Sequence, residues 1–536
     1  MTGADLTLFR RQSQRALQRR DFAGLRELCR KTRAQLPELA DAWFLESVAA
    51  EALRDMRHAL HTVERALALD PHNSEYLVQK ARYHAQVNEE QAAMSCCDKS
   101  LALGVTAALQ LDTLGVVLTR FGDYARAAEV LRQAVAANAE HPQFRFNLAA
   151  AEQFLGNSAA AREQYEAVLR LQPTHARTYW ALSELEKNQV DTRHEAAMRG
   201  LASQASIGDR DALYLAHALA RIEEERGEYG RALSTLAVAK ARRRRALAYD
   251  FQQDEALFDS LYRSFDGVGP EPIEGCGDEL SPLFVAGLPR TGTTLIEQIL
   301  CAHSAVDSLG ELQALPHAIK RLSGVEGPAV LNPAVIEAAV QQQDLALAAS
   351  YRRSLDSRLQ TLGEGTRYFI DKMPLNFLYV GFILERMPDA RVVVLHRHPM
   401  DAGLSNYRQL FALDYSYYNY SYDLADTGRY VAAFEGLLGH WRQRYGSRLH
   451  IVEYESLVAD AEPVVRSLLD YLELAWDPAC LSFHERRGAV ATPSGVQVRE
   501  PLYNRAVGRW ARYGEVLTPL RDTLLAGGVA AREISG

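Results

Sequence analysis

Apolar and small residues recur through the first third of the chain at an interval of 34 positions. Alanine holds one position of this interval at Ala59, Ala93, Ala127 and Ala161. Larger aliphatic residues hold another at Leu67, Leu101, Val135 and Leu169. Between these positions the apolar residues follow helical spacing, and glycine or proline falls where a helix must end. The pattern predicts about five helix–turn–helix units between about residues 5 and 175.

A helix pair that repeats with this period resembles the tetratricopeptide repeat. Small alanines let the two helices of a unit approach closely, while larger residues fill the space between units. Residues 227–233 show the same turn-and-helix pattern out of register, as expected for a capping unit. We therefore predict an all-α solenoid over residues 1–245. Its concave groove would bind a protein or peptide partner; the alternative interpretations are a spacer or a homodimer surface.

The composition changes after the repeats. Phe258, Leu261 and Phe265 have the spacing of one more helix, and glycine and proline then become frequent at residues 266–278. Such a density of helix-breaking residues is typical of a connecting segment. We therefore predict a helical linker at residues 246–280 and a second domain at residues 281–536.

The second half alternates short β-branched or aromatic runs with helical stretches. This alternation predicts an α/β domain with a central parallel sheet covered by helices. The runs occupy residues 283–286, 368–370, 391–395 and 449–454. Charged residues follow each run, namely Arg290, Asp371, Lys372, Arg397 and Glu455. Because ligands of such sheets bind beyond the carboxyl ends of the strands, the sequence predicts a binding site there.

The first run leads into a turn bounded by Gly287 and Gly292 and then into a helical segment. Backbone N–H groups of such a turn and the helix N-terminus can hold a phosphate-like anion. The spacing is that of a P-loop, except that Thr293 replaces the lysine that contacts the terminal phosphates of a nucleotide. We therefore predict an anion site of another kind. The alternatives are a P-loop kinase, which Thr293 opposes, and a plain packing joint.

Composition and charge exclude other classes of protein. A net charge of −8 argues against nucleic acid as the main partner. The six cysteines form no C-x-x-C pair, the first residues carry no apolar signal segment, and no apolar run of about 18 residues occurs. These features predict a cytoplasmic protein without a membrane span.

Three segments of the second half resemble the sulfotransferases that use 3′-phosphoadenosine 5′-phosphosulfate (PAPS). They are the turn at 287–294, DKMP at 371–374 and RHPMDAGLS at 397–405. The resemblance is to the tyrosylprotein-sulfotransferase-like branch, and in particular to bacterial proteins that join tetratricopeptide repeats to this domain. It implies a P-loop-like sulfotransferase domain with PAPS as co-substrate and without a metal.

The resemblance also implies which residues bind PAPS. The turn would hold the 5′-phosphosulfate end through Arg290, Thr291, Gly292, Thr293 and Thr294. Arg397 and Ser405 match the pair that holds the 3′-phosphate, and Tyr454 matches a tyrosine beside the nucleotide. Ser494 and Arg509 match residues that close over it, although the tyrosylprotein branch has a lysine where this chain has Arg509.

Catalytic roles follow from the same resemblance. Glu311 stands 21 residues after Arg290, as the catalytic base of the branch does, and Lys372 matches the lysine after the second strand. Lys372 and Arg290 would neutralise charge on the transferring group and the leaving oxygen. Gln313 departs from the branch, which carries at this position an arginine that helps to hold an acidic peptide.

Histidines offer alternatives to these assignments. His303 and His317 lie near Glu311 in sequence, and histidine is the usual base in the cytosolic small-molecule sulfotransferases. His396 and His398 are expected to be hydrogen-bonded residues at a strand end, because a third metal ligand is lacking in the pattern.

Two anion sites and a candidate base predict sulfuryl transfer to a hydroxyl acceptor, either a peptide tyrosine or a small molecule. The competing hypothesis is a repeat scaffold whose second domain senses nucleotide without turnover. Five tyrosines at positions 415–422 are predicted to cover the site. A sharper hypothesis makes one of them an acceptor of sulfate.

Overall fold

The computed structural model describes residues 3–185, 192–267, 280–342, 346–485 and 502–534. By packing, the chain divides into two compact units, Met1–Leu185 and Glu186–Gly536. Ser494 and the glycine-rich part of the predicted linker, residues 268–279, lie outside the described residues. Within the described ranges, no helix has both the length and the apolar content needed to cross a membrane.

The first unit is built from helices joined by short turns. Its helices are α1 (Gly3–Gln18), α2 (Phe22–Gln35), α3 (Ala40–Ala52), α4 (Met56–Leu69), α5 (Ser74–Gln86), α6 (Glu90–Ala102), α7 (Ala108–Arg120), α8 (Tyr124–Ala137), α9 (Pro142–Phe154), α10 (Ser158–Leu171) and α11 (Ala176–Leu185). Consecutive helices pack as pairs, and the recurring alanines at 59, 93, 127 and 161 are fully buried. The predicted helical repeats are confirmed.

Aspartates begin several second helices of the pairs. The carboxylates of Asp21, Asp55 and Asp123 accept hydrogen bonds from backbone N–H groups of the first turns of α2, α4 and α8. Each such cap satisfies a helix donor that would otherwise lack a partner, a gain of about 1 kcal/mol. The repeat boundaries are therefore set locally, which is why the sequence reveals them.

The second unit begins with four helices and continues into a sheet domain. The first helices are α12 (Glu195–Ala202), α13 (Asp209–Glu225), α14 (Tyr229–Leu247) and α15 (Gln252–Ser264). The strands are β1 (Ser281–Gly287), β2 (Val306–Ser308), β3 (Tyr368–Asp371), β4 (Arg391–His396) and β5 (Leu449–Glu453). Helices that cover the sheet or follow it are α16 (Thr293–Cys301), α17 (Ala314–Ser323), α18 (Pro333–Gln341), α19 (Ala346–Leu359), α20 (Val380–Arg386), α21 (Pro399–Arg408), α22 (Leu424–Tyr445), α23 (Tyr454–Ala459), α24 (Ala461–Tyr471), α25 (Thr518–Ala526) and α26 (Ala531–Ile534).

Helices α13–α15 share one hydrophobic core with the sheet domain. Leu213 and Leu233 belong to the same buried cluster as Phe284 of β1 and Val392 of β4. Packing therefore divides the chain at Leu185, well before the predicted linker at 246–280. That the repeats extend to residue 245 stays a prediction.

The sheet has the order β2-β3-β1-β4-β5, and every pairing is parallel. The four predicted strands are β1, β3, β4 and β5. Strand β2 was not predicted, because three residues are too few to show alternation. With β1 in the centre, the turn that follows it lies between the ends of β3 and β4, where parallel sheets bind ligands.

Lys240 of α14 is a buried amine, only 1% exposed. Its Nζ donates to the carbonyl oxygen of Ser421 at 2.9 Å, and it lies 4.9 Å from the centre of the Tyr407 ring. Burial lowers the pKa of Lys240 to about 7. The unfolded chain binds a proton here up to a pH near 10.5.

We expect Lys240→Met to remove a pH-dependent component of stability. Below pH 7 the folded protein carries the full cost of burying the ammonium, and this cost fades as pH rises from 7 toward 10.5. The wild type should therefore gain on the variant by up to about 1.4 kcal/mol per pH unit above 7. Urea unfolding of both proteins at about pH 6.5 and about pH 9 measures the difference between their free energies of unfolding. A difference that does not change with pH would contradict the prediction.

Candidate active site

The turn after β1 requires glycine at both ends. Gly287 and Gly292 have φ angles of +146° and +112°, which side chains other than glycine rarely adopt. A Cβ atom on Gly287 would approach the Leu395 carbonyl oxygen to 2.6 Å, and one on Gly292 would approach the Tyr454 ring to 2.9 Å. The turn is thus held tightly between β4 and Tyr454, and α16 begins directly after it at Thr293.

The hydroxyl groups of the turn are buried. Thr291 Oγ1 donates to the Leu288 carbonyl oxygen at 2.7 Å, which fixes the curl of the backbone. Thr293 and Thr294 form the first turn of α16 and are 4% and 5% exposed. The partial positive charge of a helix N-terminus favours an anion at this place, as the sequence predicts.

The structure brings Lys372 and Glu311 together although they are 61 residues apart. Lys372 follows β3, and Glu311 lies on the loop after β2. Lys372 Nζ donates to Glu311 Oε1 at 2.6 Å. The lysine side chain is 1% exposed and the glutamate side chain 43% exposed. A buried ammonium thus holds a carboxylate that opens to solvent, where an acceptor can reach it.

Arg397 and Ser405 also meet, at the end of β4. Arg397 Nη1 lies 3.3 Å from Ser405 Oγ and donates to the Arg290 carbonyl oxygen at 3.1 Å. The guanidinium carbon stands 4.8 Å from the centre of the Tyr454 ring. One cluster therefore joins the turn, α21 and α23, and contains the predicted 3′-phosphate pair and the tyrosine that is predicted to lie beside the nucleotide.

The C-terminal segment closes against this cluster. Asp401 of α21 accepts hydrogen bonds from the backbone N–H groups of Gly508 and Trp510, at 2.7 and 3.0 Å. Arg397 Nη2 donates to the Ala506 carbonyl oxygen at 2.5 Å. A cavity of about 440 Å³ opens between α23 and this segment. Its lining includes Glu455, Asn504, Arg505, Val507 and Arg512.

Arg509 binds a carboxylate that the sequence did not indicate. Its Nη2 lies 3.1 Å from Glu224 Oε2 on α13, and Tyr513 Oη donates to Glu224 Oε1 at 2.7 Å. Arg408 donates hydrogen bonds to the same carboxylate through two guanidinium nitrogens. Burial alone raises the pKa of Glu224, but the two arginines outweigh it and leave the pKa below its usual value. Arg509 is thus tied to α13, beside the segment predicted to close over the nucleotide.

The histidines have structural partners. His303 Nδ1 accepts from the Ala305 N–H group, so its Nε2 carries the proton that it donates to the Ala475 carbonyl oxygen. Burial lowers the pKa of His317. Burial acts the same way on His396, but Glu435 and Glu453 bind both ring nitrogens and raise its pKa to about 10.

Asp371 is part of the core rather than the ligand edge. It is fully buried, accepts hydrogen bonds from Tyr351 Oη and Asn376 Nδ2, and burial raises its pKa to about 7. His398 stacks on Trp510 with ring centres 5.7 Å apart, and burial lowers its pKa. The two ring nitrogens of His398 have no hydrogen-bond partner among the described residues, so the expectation of a hydrogen-bonded ring is wrong for His398.

The tyrosine-rich segment folds as a 3₁₀ helix, Ser416–Tyr422, beside Glu311. Tyr420 and Tyr422 are buried in the core, whereas Tyr417 and Tyr418 are partly exposed. Burial raises the pKa of Tyr417 and Tyr418, and the Glu311 carboxylate contributes to both shifts. The rings of Tyr417 and Tyr418 therefore form an aromatic surface next to Glu311, the candidate base.

Comparison with known proteins agrees with this arrangement. Residues 282–478 match the model of the sulfotransferase family, and residues 118–185 match a tetratricopeptide repeat. A protein of Aquifex aeolicus (strain VF5) is 28% identical over 345 residues, which cover 64% of this chain and 45% of that protein. The protein-tyrosine sulfotransferase of Drosophila melanogaster is 24% identical over 268 residues, 46% of this chain and 50% of that one.

Two further similarities are more limited. Protein-tyrosine sulfotransferase 1 of Danio rerio is 25% identical over 247 residues, 42% of this chain and 65% of that one. The solved sulfotransferase domain from the curacin biosynthetic pathway is 16% identical with a TM-score of 0.31, covering 46% of this chain and 98% of that domain. The chain spans between 45% and 65% of the length of the three relatives.

In this chain, helical repeats precede a parallel α/β domain, and a glycine-bounded turn follows the first strand of that domain. Over residues 282–478 the chain is similar to the sulfotransferase family, and over residues 118–185 it is similar to tetratricopeptide repeats.

Proposed function

We propose that this protein transfers a sulfuryl group from PAPS to a hydroxyl acceptor. The observation that carries the proposal is that three groups of residues, which contain three basic side chains and a carboxylate, follow adjacent strands at one edge of the sheet. These are the turn with Arg290, the Arg397–Ser405 pair and the Lys372–Glu311 pair. A leaving group with phosphates at two ends needs two anion sites, and the paired hydroxyl group and guanidinium group suit phosphate oxygens.

The residues have complementary roles in this proposal. The turn residues Arg290–Thr294 hold the phosphosulfate end, and Arg397, Ser405, Tyr454 and Arg509 hold the bisphosphate nucleotide, together with Ser494 from outside the described residues. Glu311 accepts the proton of the acceptor hydroxyl as the new O–S bond forms. The old S–O bond breaks toward adenosine 3′,5′-bisphosphate, whose charge Lys372 and Arg290 offset. No step requires a metal.

A phenolic hydroxyl is the acceptor that this site suits, as in the protein-tyrosine sulfotransferases to which the domain is similar. A phenol has a pKa of about 10, so a positioned base speeds its reaction at neutral pH. Gln313 brings no positive charge for an acidic peptide. We propose that the repeats bind the protein or peptide partner, and that the enzyme acts in the cytoplasm.

Nucleotide binding and turnover test the proposal in turn. Adenosine 3′,5′-bisphosphate should stabilise the folded protein by about 2.7 kcal/mol at a hundredfold excess over Kd, and this stabilisation should raise the melting temperature. ATP with magnesium should not. Transfer from labelled PAPS to tyrosine peptides and small phenols should then be measurable. A shift with ATP alone would support a kinase, and binding without any turnover would support a nucleotide-sensing scaffold.

A further inference from the structure

We propose that Glu297 is a positioning residue for sulfuryl transfer, which holds Lys372 and the loop that carries Glu311. The proposal rests on the function proposed above. Glu297 lies on α16, one turn after the anion-binding residues, and is 5% exposed. The sequence gives no hint of this, because glutamate within a helix is usually a surface residue.

The first support is the contact between Glu297 and the loop. Ser308 Oγ donates to Glu297 Oε1 at 2.5 Å and accepts from the Gly310 N–H group at 2.9 Å. The Gly310 carbonyl oxygen in turn accepts from the Lys372 N–H group at 2.9 Å. Gly310 has a φ of +73°, so the loop turns sharply just before Glu311. The position of Glu311 therefore depends on a hydrogen-bond chain that begins at Glu297.

The second support is the charge on Lys372. Its buried ammonium lies 2.6 Å from Glu311 and 3.8 Å from Glu297 Oε2. When Glu311 takes a proton from the acceptor it loses its charge, and Lys372 would remain as an isolated buried cation. Such a cation is costly at low dielectric constant. In this proposal the Glu297 carboxylate, 3.8 Å from the ammonium, keeps Lys372 compensated in the transition state.

Other groups around the pair do not replace Glu297. Asp371 precedes Lys372 but uses its carboxylate on Tyr351 and Asn376. Arg358 reaches the loop from α19 through the Leu309 carbonyl oxygen, at 3.2 Å. Tyr417 and Tyr418 lie near the Glu311 carboxylate.

The test separates charge from support of the loop. Glu297→Gln keeps an oxygen for Ser308 but removes the charge, and should lower kcat about 10- to 100-fold with KM for PAPS changed less than about threefold. Glu297→Asp should restore part of kcat. Ser308→Ala keeps the charge and frees the loop, and should lower kcat by a smaller factor. Glu326→Gln, an exposed change in the same domain, is the control.

Each outcome decides the proposal. Wild-type kcat in Glu297→Gln would overturn it while leaving the sulfotransferase function intact. A Glu297→Gln variant that loses kcat, loses the thermal shift with the bisphosphate and also melts at a lower temperature would overturn the proposal as well. That combination would indicate a general role in folding. Absence of transfer by the wild-type protein in the same assay would overturn the proposed function together with this inference.

Discussion

Replacing Glu311 by glutamine is expected to lower kcat about 10²- to 10⁴-fold while nucleotide binding is kept. Glutamine retains an oxygen for the 2.6 Å hydrogen bond from Lys372, so the lysine and the loop keep their places. It cannot accept the proton of the acceptor hydroxyl. The loss should therefore appear in kcat and in kcat/KM equally, which marks an interaction made in the transition state. Single-turnover transfer from labelled PAPS measures it.

The matched control is Glu326→Gln, which changes an exposed glutamate of the same domain and should leave kcat unaltered. The thermal shift with adenosine 3′,5′-bisphosphate should be the same in both variants and in the wild type. Full activity in Glu311→Gln would exclude it as the base. His317 would then be the next residue to test, because both nitrogens of His303 are occupied by the backbone.

Replacing Glu224 by alanine is expected to destabilise the second unit by about 3 kcal/mol. The carboxylate is 7% exposed and is shared by Arg408, Arg509 and Tyr513. Without it, two guanidinium groups face each other over a cavity. The value lies at the lower end for a broken buried pair, because Arg509 is 36% exposed and keeps some water. Hydrogen exchange of peptides from the second unit at increasing urea concentration measures the change.

Glu225→Ala provides the control, since Glu225 is an exposed residue of the same helix and its carboxylate lies 3.7 Å from the partly exposed Arg221. Its effect should stay within about 0.5 kcal/mol. Glu224→Ala should also weaken binding of adenosine 3′,5′-bisphosphate, because the C-terminal segment loses its anchor on α13. Unchanged stability would mean that water replaces the carboxylate without loss of stability. It would also contradict the role of α13 as the anchor of the C-terminal segment.

The features that could be predicted from the sequence are those set by local patterns. Alanine spacing predicts the helix pairs, and the glycines and threonines after β1 predict the turn, because φ angles and capping depend on near neighbours. The resemblance to the sulfotransferases assigns Lys372 and Glu311 to one site, and the structure brings them to 2.6 Å from each other. Roles in binding and catalysis remain predictions until the experiments above are done.

The features that were missed depend on contacts distant in sequence. Glu224 lies 285 positions before Arg509, and nothing in the helix pattern around it differs from the repeats. Glu297 becomes significant only when Ser308 and Lys372 are folded against it. The three-residue strand β2 is likewise defined by its neighbour β3 rather than by its own residues.

The shared core of α13–α15 and the sheet has a consequence for how such chains can be recombined. Exchange of a repeat array between proteins leaves the sheet domain and the helices packed on it intact only if the crossover falls near residue 185, where packing divides the chain. A crossover within residues 268–279 would separate Glu224 from Arg408 and Arg509, and it would replace Leu261 and Phe265, which pack in the core of the sheet domain. Helices that resemble the last repeats in sequence are therefore inherited together with the sheet domain.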